Sequence, residues 1–128
     1  MPGGDDNSLG LDLKYHLEDD GRLIARFSPR RRHQGAPGFL HGGMAATALD
    51  ETMAALGYAL DRVHCVTATL DLRYRRPVPL ASQPLRIEAW RDRPEPRRRQ
   101  RVHGRILLPD GTVAVEASGI FVQAVLGR

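Results

Sequence analysis

The chain is short of cysteine, of lysine and of aromatic residues, and each shortage closes off a class of protein. Cys65, the only cysteine among 128 residues, has no partner for an internal disulfide. That fits a reducing compartment and leaves the thiol a packing role in a predicted strand. His16, His64 and His103 lack ligand spacing and no second cysteine joins them, so no structural zinc is expected, and His33 has no clear role. Aromatic residues make up 5% of the chain. Nothing like a stacking strip for nucleobases accompanies the arginine clusters, so no nucleic-acid partner is expected. No apolar run approaches the length needed to cross a bilayer, and MPGGDDNSLG has no basic stretch followed by an apolar one. Neither a membrane partner nor an export signal is therefore expected, and the expected location is cytoplasmic. Internal repeats and low-complexity segments are also lacking.

Among the residues that are present, arginine dominates the charge. Lys14 is the only lysine, and the formal net charge is +4. A basic balance favours anionic ligands such as nucleotide phosphates without choosing among them. The length suits one compact core and is too short for two ordinary domains. Residues 1–8 read as a loose tail and 9–126 as a single domain. Strand alternation runs over 9–17, 22–27, 63–74, 85–91, 98–108 and 112–125. Asp19-Asp20-Gly21 and Pro109-Asp110-Gly111 mark turns, and 28–40 has the proline and glycine of an irregular loop. Between them, 42–60 is rich in alanine, leucine and methionine and reads as one long helix. An apolar helix across an antiparallel sheet buries both economically. The fold class is α+β: one long central helix wrapped by a curved, mostly antiparallel sheet of five to six strands.

The chemistry concentrates where that helix begins. His41-Gly42-Gly43 opens it, and Asp50 sits two turns inside among Ala48, Leu49, Met53 and Ala54. A carboxylate in an apolar helix is costly unless it is paired or put to use. The free N–H groups of a helix start suit an oxygen that gains negative charge. Together they supply what acyl transfer at a carbonyl needs. Glu51 is the rival acid, but it points about 100° away around the helix. It is expected to reach solvent or an arginine.

With this layout, Gln34-Gly35-Ala36-Pro37-Gly38, His41-Gly42-Gly43, Asp50 nine residues after His41, and Thr67 in TATLDLRYRRP carry a resemblance. Over about residues 9–124 the chain resembles the hotdog-fold acyl-CoA thioesterases, in the branch that includes the phenylacetic-acid-pathway enzymes. The resemblance implies hydrolysis of acyl- or aryl-CoA thioesters with no metal or redox cofactor, coenzyme A being part of the substrate. It implies Asp50 as nucleophile or general base, the Gly43 amide as donor to the thioester oxygen, and Thr67 as placing water or the acid. Gln34 is the candidate polar helper in the loop, and Gly42 and His41 complete the turn. Arg75 and Arg76, before Pro77, are candidates for the coenzyme A phosphates. Other readings of the fold remain: a hotdog hydratase or dehydratase, or a non-catalytic acyl-CoA-binding module. Phe39 and Tyr58 either border an acyl pocket or pack in the core.

Seven residues separate Gly43 from Asp50. On an ideal helix that is about 700° of rotation and about 10 Å along the axis. A nucleophile and an oxyanion donor must both lie within about 3–3.5 Å of one carbonyl. One helix does not easily supply both, whereas two antiparallel helices related by a two-fold axis do. A homodimer or a dimer of dimers is expected, in line with the family, whose members pair their sheets back to back.

Overall fold

The computed structural model describes residues 11–124. The expected tail at 1–8 lies outside the described residues, as do 9, 10 and everything after 124. The elements in chain order are β1 (Lys14–Leu17), β2 (Leu23–Phe27), a 3-10 turn (Arg31–His33), α1 (Gly42–Asp61), β3 (Cys65–Tyr74), β4 (Leu85–Arg91), β5 (Arg99–Leu107) and β6 (Val113–Gln123). The strands form one sheet in the order β1-β2-β4-β5-β6-β3. Every pairing is antiparallel, where the sequence pattern predicts a mostly antiparallel sheet. The first strand starts later than its alternation predicts. Asp12 has φ 51, a left-handed conformation that breaks the extended run, while Leu11 is buried at 1% exposure.

β2 and β3 are separated in the sheet by β4, β5 and β6, yet α1 is the long element that joins them in sequence. The 20-residue helix, about 30 Å long, runs along β3, with its start beside Tyr74, its middle beside Thr67 and its last turns beside Cys65. It also packs against β2, β4, β5 and β6. Its buried residues are Ala45, Ala48, Leu49, Thr52, Met53 and Leu56, one stripe at helical spacing. They meet the inward side chains of the sheet, including Phe27, Ile87, Ile106, Val115 and Phe121. Gly104 lets the helix come close: a Cβ there would lie 2.9 Å from Met53 Sδ and 3.1 Å from Leu49 Cδ2.

The far end of α1 is held by charge. Arg91 donates from Nη1 to Asp61 Oδ2 at 2.6 Å and from Nη2 to Oδ1 at 3.0 Å, with both side chains nearly buried. On the face of the sheet away from α1, Glu88 is buried at 2% exposure and is met by Arg22, Arg86 and Arg105. A buried carboxylate persists because these partners satisfy it.

Leu49, fully buried, is the test of the helix-to-sheet contact. Leu49→Ala is expected to lower unfolding free energy by about 2–5 kcal/mol, read as a shift in the urea midpoint with an unchanged slope.

Candidate active site

The loop before α1 is closed by its own hydrogen bonds. Gly35 N–H donates to Phe39 O at 2.9 Å, and Leu40 N–H to Val78 O at 2.8 Å. Gln34 Oε1 accepts from Gly38 N–H at 2.8 Å, so the carbonyl of the expected polar helper is engaged in shaping the loop. His33, to which the sequence assigns no role, is buried at 1% exposure, and its carbonyl accepts the His41 N–H at 2.8 Å. His33 thereby anchors the residue that caps the helix.

His41 is that cap, in extended conformation with φ −63 and ψ 134. Its Nδ1 accepts from Gly43 N–H at 2.8 Å, and its carbonyl accepts from Met44 and Ala45 at 3.0 and 3.1 Å. An imidazole that accepts at Nδ1 carries its proton on Nε2. The Gly43 amide, expected to face a substrate oxygen, is therefore occupied. Among the described residues the amide without a partner at the helix start is that of Gly42. The first turn has two further braces: Tyr74 Oη donates to Gly42 O, and Thr47 Oγ1 to Gly43 O, each at 2.8 Å.

Asp50 lies farther along the helix, half-buried, facing β3. Thr67 Oγ1 donates to Asp50 Oδ1 at 2.6 Å, and Oδ2 is left without a partner among the described residues. Strict alternation along β3 would put Thr67 on the opposite face from Leu70, Leu72 and Tyr74. A register shift between Thr67 and Thr69 makes the difference: Thr67 pairs with Phe121 and Thr69 with Ile120, which leaves Ala68 extra. The bulge turns both stretches of the strand toward the helix.

Glu51 faces the other way. Its carboxyl is raised above the ordinary glutamate range, by burial first and the neighbouring Asp50 charge second. The Tyr15 phenol on β1 is raised by burial and then by the Glu51 charge. Asp50 and Glu51 thus address opposite edges of the sheet, and among the described residues Glu51 has no arginine partner.

Arg75 is engaged on Glu116, donating from Nε and Nη2 to Oε1 at 3.0 and 2.9 Å, whereas Arg76 is exposed. Both line a cavity of about 270 Å³ that also touches Gly42 and Tyr74. A larger hollow of about 750 Å³ lies on the outer sheet face around Trp90, His103 and Arg105, away from Asp50 and the helix start. Phe39 and Tyr58 are 39% and 44% exposed, so neither is core in this chain. Tyr58 stacks on His64 with ring centroids 4.9 Å apart. One chain therefore gathers His41, Gly42 and Gly43 at the helix start and, separately, Asp50 with Thr67 two turns on. Among the described residues, no helix is long and apolar enough to cross a membrane.

Comparison with known proteins agrees with this layout. Residues 37–95 match the family described as Thioesterase superfamily, a span that holds both clusters. The cattle (Bos taurus) acyl-coenzyme A thioesterase THEM4 is 32% identical over 117 residues, 89% of this chain and 47% of that protein. The mouse (Mus musculus) THEM4 is 34% identical over 76 residues, 57% of this chain and 32% of that protein. The chain spans between about a third and a half of the length of these curated relatives. A crystallised thioesterase superfamily protein superposes with TM-score 0.81 and 31% identity, over 93% of this chain and 57% of that one. A putative thioesterase related to phenylacetic acid degradation, from Ralstonia eutropha, gives 0.79 and 25%, over 95% and 92%. The order of elements, the single helix packed against a sheet of six antiparallel strands and these matches together show that the chain has the hotdog fold and is similar to the thioesterase superfamily.

Proposed function

We propose that the chain hydrolyses acyl- or aryl-CoA thioesters to the free acid and coenzyme A, in sites shared between two copies. The observation that carries the reading is the 2.6 Å hydrogen bond from Thr67 to Asp50. It spends the hydroxyl proton on Oδ1, which leaves the Thr67 oxygen lone pairs and Asp50 Oδ2 to hold one water between them. Asp50 takes a proton from that water as its oxygen adds to the thioester carbon. The carbonyl oxygen, now negative, is met at a helix N-terminus, where amides and the helix dipole favour an anion. When the C–S bond breaks, the proton held by Asp50 goes to the departing thiolate. The relatives named as acyl-coenzyme A thioesterases support this choice of substrate.

The donor is Gly42 N–H, because Gly43 N–H is held by His41. Gly43 joins when the His41 ring turns aside. Eight residues separate Gly42 from Asp50, about 12 Å along the axis, so a donor from one copy serves the acid of the other. The open side of β3 supports a second copy: among the described residues this ten-residue strand pairs only with β6, and Val66 on it is 55% exposed. Long unpaired edges are ready templates for pairing. The exposed Phe39 and the exposed edge of Tyr58, stacked on His64, frame the acyl group, and the exposed Arg76 meets a coenzyme A phosphate. Coenzyme A is substrate, and no metal or redox cofactor enters the scheme. Two such dimers joined through their sheets make a dimer of dimers.

A panel of acyl-CoAs with colorimetric detection of released thiol tests the reaction class. A hydratase would leave the thioester whole, and a binding module would leave it untouched. Asp50→Asn is expected to cut kcat by about 10²–10⁴-fold with an unchanged melting temperature. Thr67→Ala is expected to lose about tenfold, mostly in kcat. Turnover by Asp50→Asn near that of the parent would exclude Asp50 as the base.

Sharing of sites is tested by Gly42→Pro. Proline suits the first helical position and deletes the amide hydrogen, and His41 already has the extended conformation that precedes proline. Gly42→Pro and Asp50→Asn are each expected to be inactive alone. Mixed dimers should regain activity, since one of their two sites carries neither lesion. Mixtures that stay inactive would mean that each site belongs to a single chain.

Glu51 gives a pH test of its bystander role. Its folded-state pKa lies above the unfolded value, so its charged form is disfavoured in the fold and stability falls as pH rises through the raised value. Glu51→Gln is expected to melt above the parent at pH 7. The gap should close below about pH 4, where both are neutral.

A further inference from the structure

The peptide unit between Gly42 and Gly43 is gripped at both ends. Tyr74 Oη donates to its carbonyl at 2.8 Å, from the end of β3, and its N–H donates to His41 Nδ1 at 2.8 Å. Two successive glycines make the least rigid helix start available, since each has wide backbone freedom to lose. A donor that wanders makes a poor oxyanion site, because its worth lies in being aimed before charge develops. The Gly42 N–H is separated from the gripped unit by the Gly42 Cα alone. Holding that unit restrains the turning of the amide, which is left with the two Gly42 backbone torsions alone.

Tyr74 is placed for this by β3 itself. It shares the helix-facing side with Leu70 and Leu72, beyond the bulge, and its side chain reaches a helix end rather than the core. The residue is 54% exposed, so burial does not account for its position. Its ring lies 3.7 Å from where a Gly42 Cβ would stand, within van der Waals contact of the first turn. The hydroxyl meets that turn at a carbonyl, the group whose orientation sets the peptide plane.

We infer that Tyr74 is a positioning residue for the oxyanion donor, acting through the Gly42 carbonyl. The inference rests on the thioester-hydrolase reading for its effect on turnover, but the clamp itself has an independent readout. Substrate binds in either case, so loss of the hydroxyl acts on the reaction step. In the same picture His41 is a resting-state plug on Gly43, which the substrate oxygen displaces, while the grip of Tyr74 persists.

The test is Tyr74→Phe, measured on the acyl-CoA that the parent hydrolyses fastest. The expected result is a kcat lower by about tenfold with KM within twofold. The melting temperature and the oligomer mass by light scattering should match the parent. The ¹⁵N resonance of Gly43, which reports hydrogen bonding at the preceding carbonyl, should move in the variant. A kcat within threefold of the parent, or a loss carried by KM alone, overturns the inference. An unmoved Gly43 resonance overturns it as well. If the parent releases thiol from no acyl-CoA, the hydrolase reading fails, while the resonance still decides whether the clamp exists.

Discussion

One helix has to carry the chain from β2 to the opposite edge of the sheet, and the rest of the molecule is arranged around that crossing. Lying along β3, it sets its glycine start, its acidic middle and its last turns beside successive stretches of that one strand. The middle arrives beside edge strand β3, where Thr67 meets Asp50. The start arrives beside the end of the same strand, where Tyr74 meets Gly42. Every polar group ascribed to the reaction is thus on α1 or touches it.

The crossing also sets where charge can be buried. Asp61 and Arg91 close the C-terminal end of α1 onto β4, with two hydrogen bonds between nearly buried side chains. On the outer face, cross-strand register lines up Arg73, Glu116, Arg105 and Glu88 as alternating signs over four strands. Neighbours of opposite sign at cross-strand distance support a sheet, and neighbours of like sign oppose it. The arginine richness of the chain is used in good part here, as structure. Arg75, a candidate for substrate phosphate, is among those so used, on Glu116.

Element types were legible because their periods differ. The alanine-rich stretch around Asp50 and Glu51 could only bury a stripe as a helix, and the alternating stretches only as strands. The Pro109-Asp110-Gly111 turn is legible for a local reason: Gly111 has φ +89, and Asp110 Oδ1 accepts from Thr112 N–H at 2.9 Å. Asp50 was legible because a carboxylate among apolar neighbours is anomalous. Thr67 was picked out by resemblance, since alternation alone puts it on the wrong face. Tyr74 and His33 were missed. Tyr74 ends an alternating run with Leu70 and Leu72, a parity that places it toward the helix, but nothing local says that its hydroxyl finds a carbonyl. His33 works through its backbone, which no side-chain pattern reveals.

The sequence by itself determined one long helix, six strands, their turns and an acid stranded in apolar surroundings. Those properties depend on residues within a few positions of one another, where period and backbone preference act. Only the tertiary structure decided that β3 would lie beside β6, with Ala68 bulged so that Thr67 faces Asp50. Only it decided that Gly43 would be taken by His41 while Gly42 stayed open. Strand order and amide partnership are choices among contacts between distant residues or among competing acceptors, and the packing of the whole sheet against one helix makes them.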